Sequence, residues 1–65
     1  MDRIEKKLEF LEKYAELCRK YEMFIKWGSQ GSVLEEFGER YGYDPKKEFE
    51  ADVEVIEILV REGRM

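Results

Sequence analysis

The chain has 65 residues, 43% of them charged, with 16 acids against 12 bases and a formal net charge of −4. It contains no histidine and a single cysteine, Cys18, which excludes an intramolecular disulfide and a structural zinc site. At this length one core only roughly balances the conformational entropy of ordering the chain, so a single domain over residues 1–65 needs close helix packing or self-association.

Asparagine and threonine are absent and Gln30 is the one glutamine. Dense mixed charge with few labile amides is a thermophile-like composition, and a lone thiol suits a reducing compartment. No apolar run approaches the roughly 18 residues of a membrane span. Met1-Asp2-Arg3 leads straight into a helical pattern, so a cytoplasmic chain is expected.

The spacing predicts an all-α, three-helix domain. A long first helix over about 2–26 follows from Ile4, Leu8, Leu11, Ala15 and Cys18, which repeat at steps of four and three, and from Ile25, which continues the seam past Glu22. Phe10, Tyr14, Leu17, Tyr21 and Phe24 form a second stripe beside the first. Together they make an apolar arc of about 160°. On this reading Glu22 turns outward to Lys26, four residues on.

Trp27-Gly28-Ser29-Gln30-Gly31 reads as a break and reversal. Ser32-Val33-Leu34-Glu35 fits a capping box, which predicts a short second helix over about 33–41 that Gly42 stops. Asp44-Pro45 then supplies a cap and first turn for a third helix over about 45–62. Phe49, Val53, Ile56 and Val60 form its seam, Val55, Ile58 and Leu59 widen it, and Gly63 closes it. The β-branched run Val53–Ile58 keeps helical spacing and is assigned to this helix.

The candidate chemistry is sparse. A hydroxyl or thiol nucleophile is usually activated by a nearby base, most often histidine, and three short helices can hardly enclose a substrate pocket. No catalytic residue, cofactor, metal ligand or small-molecule substrate is assigned, and the chain is not expected to be an enzyme. Gly28-Ser29-Gln30-Gly31-Ser32 lacks the lysine of a phosphate loop, and Glu35 and Glu36 would repel an anion there.

Residues 33–65 loosely resemble the last two helices of a winged-helix domain, through Leu34-Glu35-Glu36-Phe37, the turn Tyr41-Gly42-Tyr43-Asp44 and the ending Arg61-Glu62-Gly63-Arg64-Met65. The resemblance implies a helix-turn-helix-like regulator that contacts nucleic acid as a dimer or through a partner. Charge opposes this. Over 45–62, Lys46, Lys47 and Arg61 stand against Glu48, Glu50, Asp52, Glu54, Glu57 and Glu62, a net of −3 that a phosphate backbone repels. The opening Met1-Asp2-Arg3-Ile4-Glu5-Lys6-Lys7-Leu8-Glu9-Phe10-Leu11 is similar to the first helix of HepT-type toxin nucleases, whose Arg–His motif this chain lacks.

Partner binding is what the pattern favours. Two shorter helices cannot cover the whole apolar arc of a first helix about 35 Å long, which leaves Phe10, Tyr14 and Leu17 as the candidate interface. The expected function is a non-catalytic protein-interaction or self-assembly module. It is expected to act as a homodimer, with another protein as a possible partner and without nucleic acid or membrane. Cys18, on the narrow seam, is expected to be buried and chemically quiet.

Overall fold

The chain runs α1 (Arg3–Tyr21), β1 (Met23–Gly28), β2 (Gly31–Glu36) and α2 (Pro45–Arg61) in the computed structural model, which describes residues 2–29 and 31–65. The three-helix, all-α expectation is therefore wrong. The end of the predicted first helix and the predicted second helix form an antiparallel hairpin instead.

The first element starts as a capped helix should. Asp2 accepts a hydrogen bond from the Glu5 N–H at 2.8 Å, and Arg19 and Lys20 lie in the last turn, where cations suit the helix dipole. It ends at Glu22, whose φ of 57° is left-handed and whose N–H donates to the Cys18 carbonyl. Glu22 is thus a terminator rather than a helical partner of Lys26. That break stops α1 at Tyr21, five residues short of the predicted end at 26.

Past Glu22 the apolar residues alternate on a strand period. Phe24 is buried, while Met23, Ile25 and Trp27 lie on the other face. Gly28 pairs with Gly31 across only Ser29 and Gln30, the shortest common hairpin connection. Gly31 has a φ of 108°, a conformation that strongly favours glycine.

Ser32 faces Trp27 in the ladder and caps nothing, so the helix expected over 33–41 has no start. An isolated helix of that length is marginal, whereas pairing satisfies the backbone of both segments at once. With no helix there, the tandem of helices behind the winged-helix resemblance does not form, and no helix N-terminus follows the 28–32 segment.

After β2, the Phe37 N–H donates to the Glu22 carbonyl at 2.9 Å and extends the pairing by one step. Arg40 and Tyr43 exchange backbone hydrogen bonds around Tyr41 and Gly42, both at positive φ, and this reversal delivers the chain to α2. Asp44 accepts from the Lys46 and Lys47 N–H groups, and Pro45 occupies the first turn. At the far end Gly63 donates to Val60 and Arg64 to Leu59, the paired bonds of a glycine-terminated helix. The Val53–Ile58 run lies inside α2.

Arg19 meets Glu50 at one end of the helix pair and Lys7 meets the Met65 carbonyl at the other, so α2 runs back antiparallel along α1. Leu11, Ala15 and Cys18 of α1, Phe24 of β1, and Phe49 and Val60 of α2 are buried. Phe49, 1% exposed, is the hub. Its ring lies 5.6 Å from Phe24, 5.3 Å from Phe37 and 6.3 Å from Tyr14. The hairpin is thereby tied to both helices through one aromatic cluster.

Candidate interaction surface

The second stripe of α1 lies beside the core. Phe10 is 72%, Leu17 56% and Tyr21 59% exposed, whereas Tyr14, between them, is half-buried against Phe49. The candidate interface residues therefore divide. Phe10 and Leu17 face solvent, and Tyr14 turns inward to serve the hairpin.

Tyr14 Oη accepts the Ile25 N–H at 3.0 Å. Burial holds the phenol above its ordinary pKa. The Ile25 N–H opposes that rise, and a hydrogen bond with Cys18 and the charges of Cys18 and Asp52 add to it. A neutral Tyr14 thus fastens β1 to α1 and brings the α1 stripe up to the strand.

On the strand side, residues directly opposite one another share a face. Ile25 is paired with Leu34, and Trp27 lies diagonally across from Leu34, so these three form an apolar patch on the outer face of the hairpin. Trp27 is 77% and Leu34 69% exposed. The helical reading missed this patch because it placed 23–26 in the last turn of the first helix, Trp27 in the break and Leu34 in a second helix. The signal that reveals it is the alternation of Met23, Ile25 and Trp27 about Phe24 and Lys26, followed by two glycines flanking two residues.

These exposed groups belong to a molecule with much uncovered surface. The accessible area is 5550 Å² for 7.9 kDa, against about 4,400 Å² for a typical folded monomer of that mass. The radius of gyration is 12.8 Å, against about 10.7 Å for a compact chain of this length. The excess area is comparable with the roughly 800 Å² that each partner contributes to a standard protein interface.

The polar groupings act as ties. Arg19 binds Glu50 through two hydrogen bonds of 2.9 and 2.8 Å, which holds the Glu50 carboxyl below the usual range and raises the Arg19 guanidinium. Lys26, Tyr43 and Glu48 join β1, the 40–43 reversal and α2: Lys26 donates to Tyr43 Oη at 3.0 Å, and Tyr43 donates to Glu48. Two grooves, of about 300 Å³ between α1 and α2 and about 440 Å³ beside Phe37 and Gly38, open to solvent. Both are edged by Arg19, which is committed to Glu50. Ser29 and Ser32 are exposed on the hairpin.

Among the described residues, no helix is long and apolar enough to cross a membrane. No protein-family pattern, curated protein or solved structure matches the chain.

Proposed function

We propose that the chain is a non-catalytic interaction module that works as a homodimer, with the exposed stripe of α1 as the contact between copies. Phe10 and Leu17 supply the anchors, the free flank of Tyr14 lies between them, and Tyr21 extends the stripe. The observation that carries this reading is the exposure of Phe10, Leu17 and Tyr21 along one line of a rigid helix. Contiguous apolar surface of this kind marks interaction sites on small soluble domains.

Energetics support the same reading. Burying an apolar side chain contributes about 1.5–3 kcal/mol, and a symmetric contact uses every anchor twice, against an entropic cost of association of about 4–15 kcal/mol. A chain with so small a core gains proportionately more from association than a larger domain does. The absence of histidine and the ion-paired edges of both grooves fit a binding role better than a catalytic one. One unpaired, buried thiol fits a cytoplasmic setting.

The test is substitution at positions that do not carry the fold. Phe10→Glu and Leu17→Glu leave the Phe49 cluster intact, so both variants keep the wild-type helical signal and lose the α1 contact. An unchanged assembly mass for Phe10→Glu would exclude this face.

A further inference from the structure

We infer that β2 offers its outer edge to the β2 strand of a second copy, so that two hairpins join into one antiparallel sheet in the order β1–β2–β2–β1. This rests on the reading of the chain as a self-assembling module but uses a different surface from the α1 stripe, so it links α1-joined dimers into a larger assembly.

The hydrogen bond from the Phe37 N–H to the Glu22 carbonyl fixes the alternation of the ladder. Glu22 with Phe37, Phe24 with Glu35, Lys26 with Val33 and Gly28 with Gly31 are the pairs whose main-chain groups face each other. Main-chain groups of Met23, Ile25 and Trp27 on β1, and of Ser32, Leu34 and Glu36 on β2, therefore point away from the hairpin. On β1 the Ile25 N–H is taken by Tyr14. On β2, among the described residues, the N–H and C=O groups of Ser32, Leu34 and Glu36 have no protein partner. Such an edge templates a further strand unless proline, a bulge or a covering element blocks it. Gly31–Glu36 contains no proline and pairs without a bulge.

The sequence of β2 is complementary to itself in one register. With a two-fold axis at Leu34, Ser32 stands opposite Glu36 of the second copy, Val33 opposite its Glu35, and Leu34 opposite its Leu34. Every outward N–H and C=O of Ser32, Leu34 and Glu36 then finds a partner, and no glutamate faces a glutamate. An axis at Glu35 sets Glu35 against its own copy, which is repulsive. An axis at Val33 leaves Glu36 beyond the end of the neighbouring strand. In the favoured register Ile25 and Leu34 of each copy line up across the sheet and continue the apolar patch of the hairpin. The area in excess of a compact monomer leaves room for this contact beside the one on α1.

Cysteine scanning on the exposed strand tests the register. Leu34→Cys, Val33→Cys and Ser32→Cys are each oxidised with native Cys18 kept in its buried position, and cross-linked chains are resolved by mass. Only position 34 lies opposite itself, with Cα atoms about 5.5 Å apart; the other two exceed the reach of a disulfide, about 7 Å. The expected result is a covalent dimer from Leu34→Cys, at least about tenfold more than from either neighbour. It should persist when Phe10→Glu is added, which separates this contact from that of α1. No dimer from Leu34→Cys, or equal yields at all three positions, overturns the inference. Leu34→Lys gives a second readout that needs no thiol: like charges meet at the axis, and the assembly mass falls while the helical signal stays. An unchanged mass for Leu34→Lys would equally overturn it.

Discussion

The Ile25 N–H donates to Tyr14 Oη at 3.0 Å, so the outer edge of β1 is engaged at its middle by a side chain of α1. Tyr14→Phe removes the acceptor and strands a strand N–H, at a cost of about 1 kcal/mol. The pH dependence carries the same signature. Tyr14 holds its proton more tightly in the folded state, so its contribution is fully present below the ordinary tyrosine value of about 10. It is lost as pH rises through the raised value. Thermal melts between neutral and alkaline pH should show a shallower alkaline decline for Tyr14→Phe than for wild type, and parallel declines would contradict the assignment.

Phe49 holds the hairpin and both helices together, and a chain of this size has little stability to spare. Phe49→Ala should cost about 3–5 kcal/mol and leave the chain largely unfolded at room temperature. Circular dichroism reads this directly. A cooperative melt near that of wild type would show that the aromatic cluster is not the core.

The Arg19–Glu50 pair is exposed and contributes modestly. Glu50 is more acidic in the folded state, so its contribution is present above the ordinary glutamate value of about 4.3 and is lost as pH falls through the lowered one. Glu50→Gln should cost no more than about 1 kcal/mol at neutral pH, and high salt should shrink the difference. A larger loss that persists in high salt would mean that the side chain packs rather than pairs.

Cys18 lies in the core with Ala15, Phe24 and Phe49. Under native conditions a thiol reagent should modify it only at the rate of unfolding, and denaturant should make it react at once. Rapid native labelling would place the side chain at the surface.

The sequence made two of the elements legible and concealed the other two. Asp2 and Asp44-Pro45 are caps whose chemistry works locally, and Leu11–Ala15–Cys18 and Phe49–Val53–Val60 keep a helical period long enough to exclude a strand. Between them, Met23 to Trp27 is a short apolar run on which helical and strand periods agree about Phe24 and differ only over where Ile25 and Trp27 point. What decides is Glu22, a left-handed residue that nothing in its type announces. The Ser32-x-x-Glu35 spacing is shared by a capping box and a strand with alternating faces, and pairing with β1 selects the second. Phe10, Tyr14 and Leu17 were legible as one stripe. That Tyr14 divides from the others was not, because its partners Ile25 and Phe49 are brought to it only by the hairpin and by α2.

Self-association is the claim on which the rest depends, and sedimentation equilibrium of the wild-type chain tests it most directly. Between low concentration and about 100 µM, the mass should rise above the 7.9 kDa of one chain to at least the dimer, and Phe10→Glu should lower it. A wild-type chain that stays at 7.9 kDa throughout that range would contradict the account.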